Sequence, residues 1–347
     1  MWNGSQKKGN VLAQELQLKG QFIVDYITTF QLFFFMLFIL YKNDVDRIID
    51  TQLFGAAAFI KAIRLINWLK GKNLVLEKVM IDLPTKKAEH FFHPIRRLTK
   101  KDKPYIKFVT IEPLMDRNEK EIDFWKKKCK LPLKNIIYEP YIVRKCFNEF
   151  APLKKCNEDM KLSLCFSSME EKQAMKSSFS KGPIIYQESK GQFIFSLDPK
   201  DFLITILLGS QPSYNGTMGY VKKIIELAKN TGKKIYLFIF CAEYKVGKRT
   251  LFSDLCSAVN EIEGFPDCLS IVPFSYQKQD QIAPLLYRSN QTITRAGGGT
   301  AMELIAVMRG QIFIHTESMR KDSSRRELLK GIPGHESGAA EYLEKKA

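Results

Sequence analysis

Short apolar segments alternate with amphipathic ones along most of the chain. In the first half, strand-like runs such as LEKVMIDL and YIKFVTIEP alternate with helical patterns such as GAAAFIKAIRLINWL. The second half repeats the alternation, with DFLITILLG and IYLFIF as its most apolar strands. Strands that alternate with helices favour βαβ units, which build parallel sheets. The pattern therefore predicts an α/β protein.

The alternation lapses between residues 151 and 200. This region is rich in Ser, Lys and Glu, and a hairpin is predicted where PIIYQ and QFIFSL flank the turn Glu188–Gly191. A chain of 347 residues has the length of about two domains. We therefore predict an amino-terminal domain over residues 1–150, a linker and hairpin over residues 151–200, and a carboxyl-terminal domain over residues 201–347.

Residues 22–41 are predicted to form an unusually apolar helix. From Ile27 to Tyr41 the segment has 15 residues without a charge, whereas a membrane-spanning helix needs about 20. We favour a core helix or a helix at a membrane surface over a true membrane span. The excess of Phe and Leu beside basic clusters suits a protein held against an anionic bilayer.

Composition and charge narrow the classes of function. A content of 45% hydrophobic and 26% charged residues is that of a globular protein. The net charge of +17 attracts polyanions, although a solvated basic surface explains it equally well. The chain has no RNP or KH pattern, which disfavours nucleic acid as the partner. Seven cysteines without C-x-x-C spacing, and no secretory signal, predict reduced thiols in the cytoplasm.

The segment QTITRAGGGTAMEL, residues 291–304, has the most informative pattern. Gly297, Gly298 and Gly299 allow positive φ and leave no Cβ, so that amide groups can approach a diphosphate. Thr300 is a predicted N-cap of the helix that follows. Glu303 can accept hydrogen bonds from both hydroxyls of a ribose. The segment therefore predicts a nucleotide site, with a tight βα connection and a surface acid as the alternatives.

A family resemblance supports the nucleotide interpretation. Pro273 and Phe274 after a strand, the strand end at Arg295, the glycine turn, the T-x-x-E-L sequence and the strand IFIHTES occur in one order. Over about residues 200–345 they resemble the carboxyl-terminal domain of the GT-B glycosyltransferases that make lipid II in bacteria and galactolipids in plastids. The segment ending in YIVRKCFNEF resembles the end of the amino-terminal domain in that family. The resemblance implies two Rossmann-like domains facing a cleft.

The resemblance also implies donor-binding positions. The turn after the first strand of the second domain points into the cleft, the PF turn lies beside the nucleotide base, and GIPGHESGAAEYL meets the donor sugar. Arg295 pairs with a phosphate or fixes the loop by an ion pair, and both interpretations stay open. Ser337 and an ordinary helix entry are further interpretations of the GIPGHES segment. The candidate donor-binding residues are Gly209, Ser210, Phe274, Arg295, Gly297, Gly298, Gly299, Thr300, Glu303 and Glu336.

The general base is harder to place. The family supplies a histidine from a glycine-rich loop near the amino terminus, and Asn10 stands at that position here. VMIDLPTKKAEHFFHPI resembles a strand of the galactolipid synthases that ends in Asp-Leu and precedes histidines, which nominates Asp82, His90 and His93 as catalytic candidates. Histidine suits proton transfer because it titrates near neutrality, although histidines in a basic loop also bind phosphate or lie on the surface. The family's first strand and last crossover helix have no counterpart among the predicted elements.

Together these patterns predict an inverting glycosyltransferase. We expect it to move a hexose from a nucleotide diphosphate sugar, UDP by family preference, to a lipid-linked or membrane-associated acceptor at the inner face of a membrane. The chain has no convincing D-x-D motif, so we expect no metal and no cofactor besides the donor. One alternative is a basic protein that binds a membrane or a polyanion and keeps the fold without catalysis. Another is a transferase that modifies protein acceptors.

Overall fold

Strands and helices alternate along most of the computed structural model, which describes residues 8–153, 158–318 and 324–346. Two parts of the sequence discussed above lie outside this range: residues 3–7 of the amino-terminal segment that contains Asn10, and Cys156, one of the seven cysteines. Up to residue 150 the order is α1 (Val11–Lys42), β1 (Ile48–Asp50), α2 (Ala56–Lys70), β2 (Leu76–Val79), α3 (Glu89–Arg96), β3 (Ile106–Thr110), α4 (Glu121–Lys128), β4 (Ile136–Tyr138) and α5 (Lys145–Phe150). Beyond it the order is β5 (Met160–Cys165), α6 (Met169–Phe179), β6 (Ile185–Ser189), β7 (Gln192–Leu197), β8 (Phe202–Leu207), α7 (Tyr214–Thr231), β9 (Ile235–Phe240), α8 (Leu251–Asn260), β10 (Leu269–Phe274), α9 (Gln279–Arg288), β11 (Gln291–Thr294), α10 (Gly298–Val307), β12 (Gln311–Ile314), α11 (Arg325–Lys330) and α12 (Gly334–Lys346).

Backbone contacts divide the chain into two compact units. The amino-terminal unit consists of Leu12–Ile142, Gly297–Gly299 and Pro333–Ala347. The carboxyl-terminal unit consists of Met1–Val11, Val143–Ala296 and Thr300–Ile332. Each unit contains a parallel sheet with connecting helices, as described below. The prediction of an α/β protein with two Rossmann-like parts is confirmed.

The amino-terminal unit contains a parallel sheet in the order β1-β2-β3-β4. Each strand lies beside the one before it, so right-handed crossovers place α2, α3 and α4 on the same face of the sheet. Trp125 is fully buried on that side and packs edge-on against Phe92 and Phe108, with ring centroids 6.0 and 5.7 Å apart. Ile49 and Ile81 are more than half exposed. One face of this sheet therefore holds a core, and the other is less covered.

A buried ion pair joins the first two strands of this sheet. Lys78 Nζ lies 2.8 Å from Asp50 Oδ2, and both side chains are almost fully enclosed. Burial lowers the pKa of Lys78, and the Asp50 carboxylate opposes that shift. Removing either partner would leave a buried charge without compensation.

One side of helix α1 packs against the rest of the amino-terminal unit, and another side is apolar and exposed. Asp25 Oδ1 accepts a hydrogen bond of 2.7 Å from the Gly55 amide just before α2, and Leu40 is buried. In contrast, Phe30 is 71% exposed and Phe38 is 62% exposed. Residues 23–42 are long and apolar enough to cross a membrane, and 11% of their apolar window is buried. The exposed apolar side is available for a further partner.

The carboxyl-terminal unit contains a five-stranded parallel sheet in the order β10-β9-β8-β11-β12. Every residue of β9 and β10 is buried. Continuous apolar strands of this kind are typical of parallel sheets covered on both faces. The carboxyl ends of β8, β11 and β12 therefore form an edge from which loops can present functional side chains.

Residues 160–197 form a second sheet in the carboxyl-terminal unit. Strands β5, β7 and β6 pair antiparallel in that order, and Gly191 has a φ of +77° in the hairpin turn. Phe193 and Phe195 are fully buried, and the Phe195 ring lies 5.6 Å from that of Phe238 in β9. The sequence interpretation placed a linker over residues 151–200, but most of this region contributes side chains to the core of the unit.

Candidate functional site

The glycine turn differs from its predicted geometry in two respects. Positive φ angles occur at other described glycines, including Gly209 at +79°, but not at Gly297, Gly298 or Gly299. Helix α10 begins at Gly298, so Thr300 lies inside its first turn and is not the N-cap. Glycine is favoured at position 298 because a larger side chain would clash with a neighbouring residue, and not because the backbone is left-handed. An added Cβ there would lie 2.2 Å from Asp82 Oδ1.

Asp82 and His90 are brought together in the amino-terminal unit. Both are buried, and His90 Nε2 lies 3.4 Å from Asp82 Oδ2. Asp82 Oδ1 also accepts the Leu83 amide at 2.8 Å. The His335 ring, from α12, lies 5.3 Å from that of His90. A carboxylate beside an imidazole can stabilise the protonated ring, which is the arrangement that a general base needs.

His93 lies one helical turn beyond His90 on α3. Burial lowers its pKa, and the charges of Arg97 and Arg96 lower it further. Its imidazole is therefore neutral at pH 7 and able to accept a proton. Both histidines remain candidates, but only His90 is shown beside Asp82.

The other acids at the ends of these strands have different surroundings. Asp50 is paired with Lys78, which gives it a structural role. Glu112 follows β3 and is exposed. Glu336 lies in the first turn of α12 and is buried in the same unit as His90. Ser337 donates a hydrogen bond to the Gly334 carbonyl at 2.8 Å and belongs to the helix start.

Glu303 is held by an arginine in the carboxyl-terminal unit. Arg144 Nε and Nη2 donate to Glu303 Oε1 and Oε2 at 2.5 and 2.9 Å, forming a bidentate pair. The guanidinium also lies 4.8 Å from the centre of the Phe147 ring. Glu303 therefore points towards α5 and is not a free acid on the surface of α10.

A pocket of about 610 Å³ adjoins this ion pair. Its wall combines the start of α5 with the loop that follows β10 and the start of α9. A volume of this size lies within the range of small-molecule sites. The pocket is lined by Arg144, Cys146, Gln277, Lys278, Gln279 and Asp280.

Phe274 does not line this pocket with its side chain. The ring is fully buried and lies 5.8 Å from the ring of Phe240 in the strand next to it. Packing therefore explains the aromatic residue after Pro273. A nucleotide base at this place would meet the residues after the strand, beginning at Ser275, rather than the Phe274 ring.

Two further candidates lie at the carboxyl edge of the five-stranded sheet. Gly209 and Ser210 follow β8, and Arg295 follows β11. A Cβ at Gly209 would meet no atom within 4 Å, so its positive φ, rather than crowding, favours glycine. Arg295 is buried, and its charge helps to lower the pKa of Glu317.

A polar cluster that the sequence did not reveal lies at the same edge. His315, at the tip of β12, has Nδ1 3.0 Å from the Tyr220 hydroxyl and Nε2 3.1 Å from Glu317 Oε1. Ser213 donates to Glu317 Oε2 at 3.4 Å. Burial raises the pKa of Glu317, but the contacts with His315, Ser213 and Arg295 outweigh it and bring the pKa below its usual value. The cluster joins β12 to the start of α7.

The less covered face of the amino-terminal sheet holds an apolar cleft of about 600 Å³. Aliphatic side chains from all four strands form its floor, and the segment Glu139–Ile142 forms a wall. Tyr141 in that wall donates to the Ile81 carbonyl at 2.7 Å. The principal apolar lining residues are Ile49, Val79, Ile81, Val109, Ile111, Ile137 and Ile142.

Metal ligands are not grouped in the part of the chain that the structure describes. There, no three His, Cys, Asp or Glu residues are arranged to hold a metal ion. The buried thiols of Cys129 and Cys256 have their pKa raised by burial, to about 12 and about 11. These two cysteines are therefore protonated at pH 7.

The main residues missed from sequence are Arg144, Tyr220 and Glu317. Arg144 lies in the YIVR segment, whose resemblance to the family was visible, but its partner is 159 residues away. Glu317 lies in the IFIHTES segment, but Tyr220, which contacts the same His315 ring, is far from it in sequence and belongs to no motif. Only the alternation of strands and helices could have placed them near the same sheet edge.

Comparison with known proteins gives structural likeness without a family assignment. No family model and no curated protein matches the chain. Similar crystal structures include MurG of Acinetobacter baumannii, UDP-GlcNAc 2-epimerase of Neisseria meningitidis bound to UDP-GlcNAc, and a UDP-forming trehalose-phosphate synthase of Burkholderia xenovorans.

These three similarities are weak in sequence and in shape. Their identities are 13, 12 and 11%, and their TM-scores are 0.45, 0.42 and 0.42. The matches cover 91, 92 and 94% of this chain, and 61, 75 and 70% of the other chains. The chain thus spans about three fifths of the length of MurG. Its function has to be argued from its own residues.

Proposed function

We propose that this chain is a GT-B glycosyltransferase that moves a hexose from a nucleotide diphosphate sugar, with UDP preferred, to a lipid-linked or membrane-associated acceptor. The observation that carries the proposal is the carboxylate of Glu303, one turn into a helix that begins with glycines, together with the adjacent pocket of about 610 Å³. A carboxylate in this position can accept both hydroxyls of a ribose.

The start of α10 suits the diphosphate of the donor. Its first amides lack partners within the helix, and the helix dipole favours an anion there. The base of the nucleotide would lie in the pocket that Gln277 and Lys278 help to form, where their side chains and backbone offer hydrogen-bonding groups. A diphosphate held by amides can leave without a metal ion.

His90 is the proposed general base, with Asp82 beside it. As the acceptor hydroxyl attacks the anomeric carbon, His90 takes the hydroxyl proton, the bond from that carbon to the diphosphate breaks, and the configuration inverts. Asp82 stabilises the imidazolium that forms. Gly298, at the start of α10, lies against Asp82 in the same unit, which supports a base close to the leaving group.

The proposed acceptor is apolar in part. The cleft lined by Ile and Val in the amino-terminal unit, and the exposed aromatic side of α1, both suit lipid. The net charge of +17 favours the anionic inner face of a membrane. We therefore propose a cytoplasmic protein attached to that face, without assigning a true membrane span.

A basic binding protein without catalysis is the alternative function. The charge alone would support it, but charge does not explain a carboxylate and a pocket beside a glycine-initiated helix. A measurement of catalytic turnover distinguishes the glycosyltransferase from the binding protein. We expect the purified chain, mixed with vesicles that contain lipid acceptors, to release UDP from one member of a panel of UDP-, GDP- and ADP-sugars. Vesicle binding without release of any nucleotide would favour the alternative.

A further inference from the structure

The half-buried ring of His335 packs against the imidazole of His90. The two ring centroids are 5.3 Å apart and the ring planes meet at 72°, which is an edge-to-face arrangement. The His90 imidazole also has Nε2 3.4 Å from Asp82 Oδ2. Two different contacts therefore act on His90, because Asp82 meets one ring nitrogen and His335 packs on the ring itself.

The contact with Asp82 leaves the imidazole some rotational freedom. A charge-assisted hydrogen bond from nitrogen to oxygen usually measures about 2.7–2.9 Å, whereas this contact measures 3.4 Å. With Asp82 beside Nε2, Nδ1 is the nitrogen that remains to accept a proton, and its direction changes as the ring turns. A second ring packed against the first restricts that rotation.

We infer that His335 is a positioning residue that holds the His90 ring in the orientation needed for proton transfer. The inference rests on the proposed function, because it assumes that His90 is the general base. In this role His335 takes no proton from the acceptor and acts only through its packing on His90. Such packing affects the rate because proton transfer requires the base and the hydroxyl to be aligned within hydrogen-bonding distance.

Helix α12, which carries His335, is fixed to the loop between β2 and α3. The two segments approach so closely that a Cβ added to Gly338 would lie 2.1 Å from Thr85 Oγ1. In the same loop, Lys87 Nζ lies 3.0 Å from Glu341 Oε1. The loop, α3 and α12 all belong to the amino-terminal unit. The two imidazoles are therefore carried by elements that are held together by contacts outside the ring pair.

A positioning role differs in its chemical requirement from contact with the donor sugar, which is the role implied by the family resemblance of the GIPGHES segment. Edge-to-face packing depends on a flat ring, and phenylalanine supplies such a ring without nitrogens. A hydrogen bond to a sugar hydroxyl depends on the imidazole nitrogens, which phenylalanine lacks. The two roles of His335 can therefore be separated by substitution.

The experiment measures kcat with saturating donor for the wild type, His335→Phe and His335→Ala. We expect His335→Ala to lower kcat about tenfold, because the His90 ring loses its alignment, and His335→Phe to stay within about threefold of the wild type. UDP affinity, measured by calorimetry, should be unchanged in both variants. Lys345→Ala, at an exposed position of the same helix, is the control and should keep the wild-type kcat. If thermal melting shows that His335→Ala does not fold, His335→Leu replaces it, since leucine fills the space without a flat ring.

A double-mutant cycle tests whether His335 acts through His90. In the His90→Gln background, His335→Ala should cause no further loss of the residual kcat, because the ring that it positions is already absent. A further loss of about tenfold in that background, or a His335→Phe variant as slow as His335→Ala, overturns the inference and leaves the proposed function standing. A wild-type chain that transfers no sugar overturns the proposed function and the inference with it.

Discussion

At the scale of single residues, proton transfer depends on which histidine accepts the acceptor's proton. His90 lies beside Asp82, and His93 lies one turn away on the same helix. We expect His90→Gln to lower kcat by about 10²–10⁴ without weakening UDP binding, because the base acts only in the chemical step. Steady-state kinetics at saturating donor measures the change in kcat. A large loss of kcat in His93→Gln with little loss in His90→Gln would reverse the assignment.

Asp102 gives a pH-dependent prediction for stability. Burial raises its pKa, but hydrogen bonds from Thr99 and Arg64, together with the Arg64 charge, bring the pKa below its usual value of 3.8. A lowered pKa adds stability above pH 3.8, and that stability is lost as the pH falls through the folded-state value. Asp102→Asn should lower the free energy of unfolding at pH 7 by about 1–3 kcal/mol.

Denaturant unfolding at several pH values checks this prediction. The difference between wild type and Asp102→Asn should shrink steadily as the pH falls below 3.8. Asp46→Asn is the matched control, because the Asp46 side chain is 94% exposed. A difference that stays constant down to low pH would show that the Asp102 charge is not responsible.

The sequence identified candidate residues better than it identified the residues that contact them. The strand-end position was the same for Asp50 and Asp82, but one pairs with a buried lysine and the other lies beside His90. Lys78 is a charged residue in a strand pattern, and nothing in the sequence indicates that it is fully buried. The choice between a structural and a catalytic acid therefore needed the pairing of strands, which is not local information.

At the scale of elements, the sheet formed by β5, β7 and β6 is expected to be essential for stability. Phe193 is fully buried, with its ring 5.0 Å from that of Phe179. Phe193→Ala should cost about 3–5 kcal/mol because it opens a cavity in the core. Chemical denaturation measures the loss. Ile185 in β6 is 65% exposed, so Ile185→Ala should cost much less. Equally small losses of stability in the two variants would indicate a loosely attached hairpin.

Helix α1 gives a prediction about membrane attachment. Phe30, Phe34 and Phe38 are about half exposed or more, and replacing all three with Ser removes apolar surface that could enter a bilayer. We expect the triple variant to lose most of its binding to anionic vesicles in sedimentation and to keep its UDP affinity. Val246→Ser, an exposed apolar position of the other unit, is the control. Unchanged vesicle binding by the triple variant would remove α1 from the attachment.

Local patterns placed elements well but not their finer geometry. The hairpin around Gly191 follows from its turn residues, and it forms where they occur. The start of α10 was placed three residues too late, because threonine is a good N-cap and the glycines before it looked like a turn. In the structure, the space beside Asp82 explains Gly298. That constraint comes from a residue more than 200 positions earlier, which local patterns do not reveal.

At the scale of the whole molecule, the alternation of strands and helices was enough to predict two α/β units. Parallel sheets need a crossover between strands, and helices of suitable length lay between most of the predicted strands. The division of the chain was harder to predict, since Pro333–Ala347 and Gly297–Gly299 group with the amino-terminal unit. The grouping of these late segments with the amino-terminal unit depends on contacts between residues that are distant in sequence.

The central claim is that a nucleotide binds to Glu303 in the carboxyl-terminal unit. The most direct measurement is calorimetric titration of UDP into the wild type, Glu303→Ala and the exposed control Glu226→Ala. We predict binding to the wild type and to the control, and a loss of about tenfold or more in Glu303→Ala. Equal UDP affinity in all three proteins, or no binding to the wild type, would contradict the account.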